Sequence, residues 1–146
     1  MRHIFADSSV IIAGAVSRKG ASRAVLSMAE IGLFQLVVSR QVVDECEQNL
    51  RHKFPGALPV FAQLLTNINL ILTDEPPLEE SERWHPYIEA KDAPILAAAV
   101  EAKVDRLLSL NTKHFTAKVA QASGIMIQTP SEFVREIRTS ITEELA

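Results

Sequence analysis

The sequence predicts an α/β fold, a mostly parallel sheet of about five strands flanked by helices. Three observations predict it. Short runs with β character alternate along the whole chain with longer stretches of helical spacing. The first run, His3–Ala6, ends on a carboxylate, Asp7, and gives way at once to Ser8-Ser9 and a second apolar run. A strand that ends on an acid and turns straight into a helix has the geometry of an α/β active site, because ligands of open parallel sheets bind outside the carboxyl ends of the strands. Finally, the chain has no repeat, no low-complexity tract and no internal linker, so residues 1–146 read as a single domain.

Ser8 or Ser9 offers a hydroxyl to cap the helix after His3–Ala6. Ser22–Ile31 is helical, with Val25, Leu26 and Ala29 on one face and Gly32 as its stop. The loop before it carries Arg18 and Lys19, whose charges are expected near the crevice of the first strand. Phe34–Val38 is the second strand, and Ser39 the N-cap of a helix over Arg40–His52. Pro55-Gly56 breaks the chain; a helix over Ala57–Thr66 and a third strand, Asn69–Leu72, follow. The polar stretch Asp74–Glu82 opens as a loop at Pro76-Pro77, and a helix resumes around Leu78–Arg83. Trp84–Tyr87 is irregular, and the alanine-rich Asp92–Lys103 is a strong helix. Arg106–Leu110 is the fourth strand, Asn111–His114 a turn, Phe115–Ser123 a short helix ended by Gly124, and Ile125–Gln128 the fifth strand. Thr129 or Ser131 caps a terminal helix with Phe133, Val134 and Ile137 on one face.

Hydrophobic residues make up 47% of the chain, enough for a core without crosslinks, and an aromatic content of 5% leaves that core to Leu, Ile, Val and Ala. Cys46 is the only cysteine, which excludes an intrachain disulfide and fits a reducing compartment. It has carboxylates beside it and no partner at ligand spacing, so it reads as a buried helix residue rather than a nucleophile. There is no signal-peptide pattern and no apolar run of the ~18 residues a bilayer span needs, so the expected location is the cytoplasm, without a membrane partner. A net charge of −3 provides no global basic surface for nucleic acid. It leaves room for an enzyme whose acidic pocket holds cations that receive phosphate.

The carboxylates carry the functional reading. Asp92, Ile95, Leu96 and Ala99 fall at i, i+3, i+4 and i+7, so the apolar stripe of their helix runs back to an acid. A simple cap need not lie on the buried face, and a carboxylate there is costly unless paired or bound to a cation. On the helix over Arg40–His52, Val42, Val43, Cys46 and Leu50 define the apolar face; Asp44 points away, while Glu45 and Glu47 flank it on opposite sides. Periodicity does not choose between those two. At the tip of the fourth strand Asn111 offers a neutral carbonyl ligand, and Ser109 and Thr112 offer hydroxyls. Asp105 begins that strand; at ~3.3 Å per residue it lies roughly 20 Å from Asn111, at the wrong end of the sheet. Asp7, Asp92 and one of Glu45 or Glu47 therefore surround one pocket. Clustered carboxylates stay ionised together when a hard divalent cation sits among them, and Mg²⁺ or Mn²⁺ takes oxygen ligands of this kind. The chemistry suggested is metal-dependent phosphodiester hydrolysis.

The stretches FADSSVIIAG, VVSRQVVDECEQNL, KDAPILAAAVEAKVDRLLSLNTKHF and TPSEF, in this order, resemble PIN-domain proteins, in particular the ribonuclease toxins of toxin–antitoxin pairs. The resemblance covers nearly the whole chain. It implies a Rossmann-like sheet of strand order 3-2-1-4-5 with acids at the strand carboxyl ends. It puts the family's first acid on Asp7, its second on Glu45 rather than Glu47, and its third on Asp92, with Ser9 as the small polar residue two after the first acid. The fourth position, often aspartate, falls on Asn111, a departure that removes one charge and weakens binding of a second ion. The resemblance further implies RNA as substrate, a homodimer, and a cognate antitoxin as partner. Arg18, Lys19, Arg40 and Lys113 are candidate RNA contacts, and Thr112 a supporting hydroxyl. His114 stands outside the catalytic set, as a residue that packs or hydrogen-bonds beside Phe115.

Two other functions compete with a Mg²⁺- or Mn²⁺-dependent ribonuclease. One is an RNA-binding or interaction module of the same fold, its catalysis weakened by Asn111. The other is an aspartyl-phosphate protein with Asp7 as nucleophile. The sequence after Asp7 is Ser8-Ser9, with no second aspartate two positions on, which argues against the latter.

Overall fold

Five strands pair in one sheet in the order β3-β2-β1-β4-β5, and every pair is parallel. In this computed structural model, residues 1–145 are described; Ala146, the end of the expected domain, lies outside them. The strands are β1 His3–Ala6, β2 Gln35–Ser39, β3 Ile71–Thr73, β4 Arg106–Leu108 and β5 Met126–Gln128. The helices are α1 Ser8–Val16, α2 Ala21–Glu30, α3 Arg40–Lys53, α4 Leu58–Asn67, α5 Leu78–Glu82, α6 Ala93–Glu101, α7 Ala117–Ser123 and α8 Pro130–Leu145, with a 3₁₀ turn at Pro55–Ala57. Strand order and α/β class agree with the sequence reading. Among the described residues, no helix is long and apolar enough to cross a membrane.

The central strands are buried on both faces, so they read as continuous apolar runs. Ile4, Phe5, Leu36, Val37, Val38, Leu107 and Leu108 are all but inaccessible. Helices cover the sheet: α1 packs on α2, α3 and α4, α2 on α8, and α5 on α6. Gly14 lets α1 approach α2 closely: a Cβ there would stand 2.5 Å from Leu26 Cδ1, which would have to shift, and 3.3 Å from the Ser22 carbonyl oxygen. The ring of Phe133 on α8 meets Phe34 edge-on, with centroids 5.3 Å apart.

Several boundaries differ from expectation, each for a local reason. β4 stops at Leu108, not Leu110, because the Leu110 amide turns from the sheet to donate to Ser9 Oγ at 3.0 Å. β3 starts at Ile71, not Asn69, because the chain first closes a tight turn from Leu70 N to Ile68 O. α6 ends at Glu101, and Lys103 adopts a left-handed φ of 54° that a helix excludes. α7 begins at Ala117, capped by the Thr116 hydroxyl on Val119 N, and closes on left-handed Gly124. Thr129, not Ser131, caps α8: its hydroxyl accepts from Glu132 N while Glu132 accepts from Thr129 N, a reciprocal capping box with Pro130 as first helical residue. Ser39 caps α3 as expected, accepting from Val42 N.

Candidate active site

β1 and β4 are neighbours in register, Ala6 opposite Leu108, so the residues that leave their carboxyl ends lie side by side. Asp7 is buried at this point. Its Oδ1 accepts hydrogen bonds from Ser9 N at 2.8 Å and from the Ser9 hydroxyl, and its Oδ2 accepts one from Ser109 Oγ at 2.5 Å. Asp7, rather than Ser8 or Ser9, is thus the N-cap of α1. The hydroxyl of Ser9 instead joins Asp7 to the exit of β4. Burial lifts the Asp7 carboxyl above its ordinary range, and the bonds from Ser109 and Ser9 pull it back only in part.

Glu45 reaches the same place from α3. Gln41, one turn earlier, has its Nε2 3.4 Å from Glu45 Oε2 and 3.1 Å from the carbonyl of Lys91, so one amide ties α3 to the approach of α6. Burial raises the Glu45 carboxyl, and the charges of Asp92 and Asp7 push it the same way. Glu47 faces solvent in an i,i+4 pair with Arg51 at 2.7 Å, and Asp44 is exposed. The geometry separates the two glutamates that periodicity left open. Cys46 is buried with Sγ 3.7 Å from Ser8 O; burial and the neighbouring acids hold its thiol far above the ordinary range, so it stays protonated and inert.

Asp92 is buried at the N-cap position of α6, yet its side chain caps nothing. Its Oδ2 lies 2.7 Å from Nδ1 of His114. Nε2 of the same ring lies 3.4 Å from Glu89 Oε1, and the Asn111 amide nitrogen lies 3.0 Å from Nδ1. Asn111 is held by its own backbone N–H on Ser109 Oγ at 2.9 Å; with its amide nitrogen on the ring, Oδ1 is its remaining donor.

Asp7, Ser9, Glu45, Asp92 and Asn111 line one open depression of about 540 Å³. The basic groups on its walls are His52 and Lys53, from the last turn of α3, and Lys91. The cations singled out from the sequence lie elsewhere. Arg18 and Lys19 were expected beside the first-strand crevice; α1 carries the chain nine residues, about 13 Å, away from it, and Arg18 lines a separate depression with Val16 and Phe54. Arg40 stands 3.7 Å from Asp74, Lys113 lines a third depression with Tyr87 and His114, and Thr112 is exposed outside the acid pocket. Asp105 accepts from His3 N at 2.7 Å, at the opposite end of the sheet. Lys53, His52 and Lys91 are thus pocket residues that the sequence reading missed. A signal for the first two existed: with Gln48 and Asn49 they stand at i+3, i+4, i+7 and i+8 from Glu45, one stripe of α3.

Oxygen donors on three mutually repelling carboxylates, two of them raised by burial, make a site that a hard divalent cation stabilises. The oxygen donors of Asp7, Glu45, Asp92 and Asn111 are of the kind that a hard divalent cation takes.

The fold and these acids can now be set beside other proteins. Similar structures include PAE2754 from Pyrobaculum aerophilum, 15% identical, with a TM-score of 0.62 over 92% of this chain and 88% of that one. VapBC2 from Rickettsia felis, solved bound to a DNA fragment from its promoter, is 10% identical, with a TM-score of 0.60 over 87% of this chain and 98% of that one. VapC20 from Mycobacterium tuberculosis, described as a sarcin–ricin loop cleaving toxin, is 14% identical, with a TM-score of 0.53 over 82% of this chain and 94% of that one. No curated protein matches the chain by sequence. A family model described as PIN domain matches residues 3–113, a span that holds all three acids and Asn111. On that match, the chain belongs to the PIN-domain family.

Proposed function

We propose that the chain is a Mg²⁺- or Mn²⁺-dependent endoribonuclease and the toxin of a toxin–antitoxin pair, working in the cytoplasm. The observation that carries the reading is the convergence of Asp7, Glu45 and Asp92, from three separate elements, on one pocket at the carboxyl edge of a PIN-family sheet. The similar structures support it: one is described as a sarcin–ricin loop cleaving toxin and another as VapBC2 bound to promoter DNA. By the same likeness an antitoxin is a proposed partner, and by the resemblance of the sequence to the family so is a second copy of the chain.

A bound divalent cation supplies the positive charge that a phosphodiester and its attacking water need. The chain's own residues do the rest. Asp7, held by three hydrogen bonds, keeps its carboxylate fixed, so little reorganisation accompanies binding. Glu45 and Asp92 complete the anionic wall, and Ser9 and Ser109 orient Asp7. Lys53 and Lys91 neutralise the phosphates that flank the cut. Arg40, Lys113, Arg18 and Lys19, and the Thr112 hydroxyl, serve an RNA large enough to reach beyond the pocket.

Asn111 favours a second reading, a weakened RNA-binding module. One experiment separates the two. An RNA panel is incubated with wild type, Asp7→Asn and Asp92→Asn, in Mg²⁺, Mn²⁺ or chelator. Cleavage that needs the ion and falls about 100-fold or more in both variants is the expected result. Cleavage that survives in both variants overturns the assignment. Binding without cleavage by any form favours the module, and Asn111→Asp should then restore activity.

A further inference from the structure

We infer that Asp92 is shared by two cation sites, and that Glu89 and His114 complete the second with a transition ion such as Mn²⁺, Co²⁺ or Zn²⁺. The inference rests on the reading of Asp92 as a cation ligand given above. It goes beyond that reading because the second site adds a nitrogen donor from outside the acid pocket.

Donor atoms of Glu89, Asp92 and His114 all lie within 4.8 Å of one another. Ligand atoms around one such ion stand about 2.0–2.2 Å from it, so an adjustment of the exposed Glu89 side chain brings the three onto one ion. Imidazole with two carboxylates is a mixed nitrogen and oxygen set, which suits transition ions rather than Mg²⁺. Glu89 and His114 are both absent from the acid pocket's lining, where Asp92 is present, so Asp92 is the one residue common to the two groups. His114 also stands just past the stretch that matches the family, and so does not come to this chain with that match.

The surroundings of Nδ1 point the same way. Asp92 Oδ2 stands 2.7 Å from that nitrogen. An ion placed against both would face the nitrogen lone pair and the carboxylate together. Asn111 removes one negative charge from the neighbourhood, and Glu89 supplies one at the rim.

Mn²⁺ titration of the chelator-treated protein, followed by electron spin echo spectroscopy for ¹⁴N coupling, tests this directly. Wild type should bind two equivalents and show ¹⁴N modulation. The double variant Asp7→Asn/Glu45→Gln should keep one equivalent with that modulation intact. His114→Ala should lose the modulation and one equivalent. Glu89→Gln, a change at an exposed side chain that leaves folding alone, should weaken the nitrogen-bearing site about tenfold or more. Wild type without ¹⁴N modulation, or modulation that survives in His114→Ala, overturns the inference. Those results leave the proposed nuclease untouched. The reverse pattern, a nitrogen-bearing site with no equivalent lost in Asp7→Asn/Glu45→Gln, supports the second site and counts against the acid pocket as the principal one.

Discussion

Asp7 and Asp92 occupy the same position in two parts of the fold, each the residue before a helix at the carboxyl edge of the sheet, and each buried. Their carboxylates are treated differently. Asp7 is bound on both oxygens, caps α1 and bridges to β4 through Ser109. Asp92 makes one side-chain contact, to His114, and leaves α6 without a side-chain cap. Pro94 in the first turn of α6 has no N–H to satisfy, which lessens the need for one. A helix-start aspartate is therefore not one kind of residue. What lies across the crevice decides whether its carboxylate is tied into the backbone scaffold or left to a single side-chain partner.

The largest effect tests what the two share. Mg²⁺ at about 100 times its dissociation constant should stabilise the wild type by about 2.7 kcal/mol, measured by chemical unfolding. Asp7→Asn and Asp92→Asn should each lose most of that gain; retention in either removes that residue from the ligand set. The next test addresses what they do not share. Ser109→Ala leaves one oxygen of the buried Asp7 and the Asn111 amide without their partner, and should cost about 1–3 kcal/mol in chelator. A cost near zero would mean that Asp7 is no better anchored than Asp92.

A third prediction uses protons. Burial raises Asp7 from 3.8, so between that value and its higher folded value the native state binds more protons than the unfolded state. Without metal, this group therefore destabilises the fold as pH rises through that window, and the deficit persists above it. Asp7→Asn should then melt above wild type at pH 7 in chelator, and the gap should close toward pH 4. A gap that grows on acidification refutes the sign. The smallest effect is a control. Glu47→Gln breaks an exposed pair and should shift stability by no more than about 0.5 kcal/mol and metal affinity not at all, whereas Glu45→Gln should weaken the ion.

These contrasts also mark what the sequence made legible. Alternating apolar runs, the Ser39 cap and the apolar stripe leading back to Asp92 are local signals, and the structure follows them. The side-chain partners are not local. Ser109 and Asp7 are 102 residues apart, so no local pattern announces the hydroxyl that holds the second oxygen of Asp7. His114 illustrates the same limit: within NTKHF it reads as a turn residue, and only the fold brings it to Asp92 across 22 positions. Arg18 and Lys19 show the opposite error. Closeness to Asp7 in sequence suggested closeness in space, and a straight helix between them removed it. Lys53 and His52 were legible in principle, because the stripe that contains Glu45 continues to them.

The order β3-β2-β1-β4-β5 puts the first strand made in the middle of the sheet, between the second and the fourth. Asp7 N waits for Leu108 O, Asp7 Oδ2 for Ser109, and Ser9 Oγ for Leu110 N. During synthesis the three acids have all emerged by residue 92, but the strand that fixes the first of them has not. A chain interrupted before β4 carries the acids without their geometry. The fold thus delays the assembled pocket until most of the polypeptide has left the ribosome.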